Sequence, residues 1–154
     1  MALHLNLPDA NATAALGARL ASGIAPGRVL HLRGELGTGK TTLVRGLLRA
    51  LGFQGRVKSP SYTLVEAYSI SSLNLYHFDF YRFKDRSEWL SSGFREYFGQ
   101  DSACVVEWPE RAGDALTAPD VEVKLEFAGE GRAATLTAHS QAGEAWLSSL
   151  PRSS

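Results

Sequence analysis

The stretch GELGTGKTT, residues 34–42, constrains this chain of 154 residues more than any other. Gly34-Glu35-Leu36-Gly37-Thr38-Gly39-Lys40-Thr41 satisfies G-x-x-x-x-G-K-[ST], the P-loop pattern. Val29 to Leu32, just before it, reads as a strand. From Lys40 onward Leu43, Val44, Leu47, Leu48 and Leu51 fall on one face of a helix, and Gly52 stands where a C-cap glycine belongs. Glycines at 34, 37 and 39 free the backbone to aim several N–H groups at one point, with no Cβ in the way. The helix beginning there adds its unpaired N–H groups and positive dipole end, so the place suits a phosphate tail. In that arrangement the Lys40 ammonium reaches β- and γ-phosphates, and the Thr41 hydroxyl completes a Mg²⁺ shell.

The rest of the chain supports one α/β domain over 1–150, with a frayed tail at 151–154. Leu3 to Leu7 alternate as a short strand does, and Asp9 and Asn11 offer capping side chains for a helix bearing Leu16 and Leu20. Thr63 to Tyr68, Leu73 to Asp79 and Ala103 to Val106 read as strands, with short helical turns at 87–90 and 94–98. Val121, Val123, Leu125 and Phe127 alternate with Glu122, Lys124 and Glu126; a glycine turn and a second strand from Arg132 to Ala138 make an antiparallel hairpin. A last helix spans about 140–150. The expected fold is a P-loop NTPase-like three-layer sandwich whose mixed central sheet ends in that C-terminal hairpin.

Sixteen Lys and Arg balance sixteen Asp and Glu, which argues against a protein that holds nucleic acid by its own electrostatics. The one cysteine, Cys104, has no intrachain partner, and no Cys/His cluster suggests zinc. The opening residues lack the basic and apolar regions of a secretory signal, and no apolar run reaches the roughly 18 residues of a membrane span. A cytoplasmic protein with no membrane partner is expected.

A P-loop works with a carboxylate at the end of a neighbouring buried strand. Asp79 and Glu107 both qualify by position; Glu107 follows the more apolar run, and spacing alone does not rank them firmly. Trp108, beside Glu107, is either a base-stacking ring or a core and rim anchor. His77, near Asp79, reads as a packed or hydrogen-bonded strand residue rather than a catalyst.

Four segments in order, GELGTGKTTLVRGLLRALG, SPSYTLVEAY, LYHFDFYRF and VVEWPER, resemble the bacterial TsaE family, small P-loop ATPases required for threonylcarbamoyladenosine in tRNA. The likeness runs from about Thr13 to the hairpin. The first segment is generic to P-loop proteins, and the other three together are specific. The resemblance implies that Thr41 and Glu107 hold Mg²⁺, with Glu107 in the Walker B role, and that Asp79 serves hydrolysis near the γ-phosphate alongside Lys40. It implies ATP contacts from Glu35, Leu36, Gly37, Thr38, Gly39, Lys40, Thr41 and Thr42. Trp108 is implied to stack on adenine, with Thr13 at the base and Arg132 closing the pocket. Ser59 to Thr63 resembles a loop that senses the terminal phosphate. Ser61 stands where threonine is common, and Arg95 where an acidic residue is frequent; the second departure bears on a partner-facing surface. The implied partners are the TsaB–TsaD pair, with tRNA met only indirectly and the chain monomeric when alone. Slow turnover is expected, since no arginine finger is identifiable; Arg82 is the residue considered for that role.

Three rivals remain. A small-molecule kinase uses the same loop but needs an acceptor pocket and usually an arginine-bearing lid, for which 84–95 leaves little room. A GTP switch lacks an [NT]-K-x-D motif at any of the four lysines. A nucleotide-dependent binding module overlaps the favoured reading.

Overall fold

A computed structural model describes residues 1–151. In chain order it contains β1 (Ala2–Leu7), α1 (Ala10–Leu20), β2 (Val29–Arg33), α2 (Lys40–Leu51), β3 (Val65–Ile70), β4 (Leu73–Asp79) and α3 (Arg86–Ser92). Then come β5 (Ser102–Glu107), β6 (Val121–Ala128), β7 (Gly131–Ala138) and α4 (Gln141–Ser148). The strands form one sheet in the order β1-β7-β6-β2-β5-β4-β3. Its centre, β6-β2-β5-β4, is parallel. Antiparallel strands flank it, β7 and β1 on one side and β3 on the other.

Strand parity sorts the core into two layers. Leu30, Leu32, Leu75, Ala103 and Val105 face α1, α2 and α4, joining Leu16, Leu20, Leu43, Leu47 and Trp146 in one apolar cluster. Val29, Phe78, Cys104 and Val106 face the other way, against Phe80, Phe83 and Trp89. Aromatic pairs dominate this second layer: Phe80 stacks on Phe83 at 4.6 Å, and Phe78 on Phe98 at 5.1 Å. The three-layer α/β architecture expected from the sequence is therefore present. The second layer does not reach β6, where Glu122, Lys124 and Glu126 alternate with buried Val121, Val123 and Leu125.

The first two helices approach closely because glycines meet backbone there. A Cβ on Gly17 would stand 2.0 Å from the Leu43 carbonyl oxygen, and one on Gly46 2.0 Å from that of Ala14. Any larger residue pushes the helices apart, and that approach is what brings Thr13 of α1 to the start of α2. Asp9 caps α1, accepting from the Ala12 N–H at 2.8 Å, while Asn11 lies inside the helix.

The third strand departs most from its expected bounds. It starts at Val65 rather than Thr63, because Leu64 takes φ 69° and its N–H bonds the Pro60 carbonyl at 2.8 Å, closing a turn. The first strand, with no partner assigned by sequence, pairs β7 along its length. Of the expected frayed tail, residues 152–154 lie outside the described residues.

Candidate functional site

The parallel register sets β2, β5 and β4 level at their C-terminal ends, pairing Leu32 with Glu107 and Glu107 with Asp79. The glycine-rich loop leaves β2 at that edge, where open α/β sheets place ligand crevices. Gly34, Gly37 and Gly39 all take positive φ, at 154°, 83° and 104°. Side chains cap α1, α3 and α4, from Asp9, Asp85 and Ser140, whereas α2 has no side-chain cap. Its first-turn amides are thus left for an outside acceptor. Thr38 tightens the loop, its hydroxyl donating to the Glu35 carbonyl at 2.8 Å, and Leu36 projects outward.

Charged side chains are seldom buried unless compensated, yet Lys40, Asp79 and Glu107 are all buried at this edge. The Lys40 Nζ donates to the Gly34 carbonyl and sits 3.9 Å from the centroid of the Trp108 ring. Burial pulls the Lys40 pKa down from its ordinary value, with Glu107 and Asp79 opposing. Burial pushes Asp79 up, against the Tyr81 N–H that its carboxylate accepts at 2.9 Å. Glu107 accepts from His77 Nε2 at 2.6 Å, inside the protein.

Two clefts flank the loop. One is lined by Leu36, Lys40, Thr41, Asp79, Glu107 and Trp108, with Ser59 and Ser61 across from them. The other is lined by Asp9, Thr13, Thr38, Thr42, Glu130 and Arg132. Gly37, Gly39 and Thr42 belong to both. The structure therefore brings the carboxylates, lysine and Thr41 together, but separates Trp108 from Thr13 and Arg132. A lysine ammonium lies over the Trp108 ring. Trp108 also takes φ 57°, turning the chain just after β5.

Arg132 lines the second cleft and also bonds the loop backbone. Its Nε and Nη2 donate to the carbonyls of Thr38 at 3.2 Å and Gly37 at 3.0 Å, and its Nη1 to that of Gly131 at 2.8 Å. The guanidinium thereby clips the loop's outward carbonyls to the β6–β7 hairpin. Arg82, considered as an arginine finger, donates to the Ser61 carbonyl at 2.9 Å and lies 4.5 Å over the Tyr62 ring, so it holds the 59–63 loop. Sequence reading missed His77 as the partner of Glu107. The signal was strand parity, since His77 and Asp79 are two apart and share a face.

Fold and site together define an α/β protein with a glycine-rich, helix-capping loop beside buried carboxylates at the parallel strand ends. A family model described as "Threonylcarbamoyl adenosine biosynthesis protein TsaE" matches residues 7–134. The tRNA threonylcarbamoyladenosine biosynthesis protein TsaE of Haemophilus influenzae is 43% identical over 122 residues, covering 79% of this chain and 77% of that one. Its Bacillus subtilis counterpart is 40% identical over 114 residues, covering 73% of this chain and 71% of its own. The crystal structure of Bacillus subtilis YdiB superposes with a TM-score of 0.81 at 32% identity, over 97% of this chain and 94% of that one. The chain belongs to the TsaE family.

Proposed function

We propose that this protein binds Mg·ATP on the Gly34–Thr41 loop and hydrolyses it slowly, in support of threonylcarbamoyladenosine formation in tRNA, with the TsaB–TsaD pair as partners. The observation that carries the reading is an uncapped α2 N-terminus facing a buried lysine and two buried carboxylates. A triphosphate there satisfies the free amides and compensates Lys40. The base belongs in the Thr13–Arg132 cleft, and the terminal phosphate in the cleft of Lys40, Asp79 and Trp108.

The donor set suits magnesium. Thr41, Glu107 and Asp79 offer only oxygens, and among the described residues no group of three His, Cys, Asp or Glu forms a metal cage. Such a site fits an ion that keeps waters and phosphate oxygens in its shell. Thr41 and Glu107 would hold it; bound there, it would neutralise charge on the β- and γ-phosphate oxygens. Lys40 and the loop amides stabilise the charge that builds as water oxygen bonds the γ-phosphorus and the bond to the bridging oxygen breaks, giving ADP and inorganic phosphate. Asp79 orients that water or accepts its proton, a role its raised pKa favours. Exposed Leu36 and Tyr62 rim the terminal-phosphate side, a surface suited to a protein partner.

Two assays on γ-labelled ATP test the proposal. Label released as inorganic phosphate supports an ATPase, and label moved to a metabolite supports the kinase alternative. Asp79→Ala should keep ATP binding by calorimetry while losing phosphate release; undiminished turnover in that variant rejects the assigned role.

A further inference from the structure

We propose that His77 is a positioning residue that fixes Glu107 for the metal–nucleotide complex; this rests on the reading above. Leu75, His77 and Asp79 share the α2-facing side of β4, as Ala103, Val105 and Glu107 do on β5. His77 is level with Val105, so it lies one rung deeper than the Asp79–Glu107 pair, and it is fully buried. Its Nε2 is 2.6 Å from Glu107 Oε2. An ionised carboxylate only accepts, so Nε2 carries the hydrogen and donates. The other ring nitrogen, Nδ1, is buried with no hydrogen-bond partner among the described residues.

That asymmetry separates a site role from a packing role. A leucine or phenylalanine would fill this depth without a desolvated lone pair, and the imidazole's one polar contact is with a site carboxylate. The hydrogen bond occupies Oε2 and holds the carboxylate's orientation, leaving Oε1 outside that contact, on a residue that lines the cleft. Outer partners of this kind typically shift metal affinity about 10–100-fold. The sheet backbone does not take part in the contact, so a substitution at 77 acts on Glu107 first.

The test is Mn²⁺ binding measured by electron paramagnetic resonance, with a non-hydrolysable ATP analogue, on wild type, H77L, H77N and H77Q. Glutamine reaches its amide to the Nε2 position and preserves the donor; asparagine and leucine do not. Mn²⁺ affinity should weaken about tenfold or more in H77L and H77N, and stay near wild type in H77Q. Affinity for the analogue in EDTA should be equal in all four. H77N binding Mn²⁺ as tightly as wild type overturns the proposal, and the Asn–Gln pair decides the matter should H77L fail to fold. Wild-type protein that takes up no Mn²⁺ with the analogue instead overturns the nucleotide reading itself.

Discussion

On one side of the Gly34–Thr41 loop, three charged side chains are sunk into the ends of the parallel strands; on the other, the lining is hydroxyls, backbone and rim charges. Lys40, Asp79 and Glu107 are buried, and the first two are pushed away from their ordinary pKa values by that burial. Thr13 is buried as well, but its polar group is a neutral hydroxyl that demands far less of its surroundings. Arg132 directs three of its five donors to the carbonyls of Gly37, Thr38 and Gly131. The contrast teaches where each kind of free energy is used. A cluster of desolvated charges is worth keeping only where a ligand's own charge completes it. A neutral, shaped cleft supplies fit and affinity without chemistry.

The two sides should therefore fail differently. The largest effect is expected from Lys40→Ala, which removes the only buried cation among the described residues. ATP affinity should fall about 100-fold or more in calorimetry, as for the loss of charge-assisted contacts to phosphate. Glu107→Gln should cut phosphate release by about 100-fold while nucleotide affinity in EDTA holds, because it alters the proposed ion ligand and leaves the loop intact. Across the loop, Arg132→Ala should loosen ATP binding by about tenfold, with kcat nearly unchanged once the site is saturated. A large drop in kcat from that variant would erase the distinction between the two sides.

The smallest effect on nucleotide binding belongs to His31, buried on the sheet's other face with Nε2 unpartnered. Burial, aided by the nearby Arg33 charge, lowers its pKa to about 4. The native ring stays neutral where the unfolded ring takes a proton, so stability should fall as pH drops from the ordinary histidine value to about 4. The full loss from this one group is about 3 kcal/mol, read as unfolding free energy by urea titration. His31→Leu should flatten that decline and leave ATP affinity at pH 7.5 unchanged. Retention of the same pH slope would place the titration elsewhere.

Much of this was legible in the chain because local chemistry and tertiary role coincide. The glycines of 34–39 have one conformational use, and the leucine spacing of 43–51 has one face. The terminal carboxylates of two apolar runs declared themselves as strand-end groups. What escaped depends on pairings between distant segments. Nothing in Ala2–Leu7 says that it will lie beside β7, since alternation fixes a face and not a neighbour. The hydrogen bond from His77 to Glu107 spans two strands whose register only the folded sheet sets. Trp108 follows Glu107 in sequence, but only the fold shows its αL turn and its ring beneath the Lys40 ammonium. Arg132 lines the Thr13 cleft, and its bonds to the loop's carbonyls are a contact that only the folded hairpin makes.

The most direct measurement is a crystal structure of Asp79→Asn grown with Mg·ATP, a variant expected to block hydrolysis while leaving the loop untouched. The triphosphate should lie against the amides of residues 37–41 and the Lys40 ammonium, with adenine between Thr13 and the β6–β7 hairpin. An empty loop, or adenine stacked on Trp108 with the Thr13 cleft vacant, would contradict the division of labour drawn between the two sides.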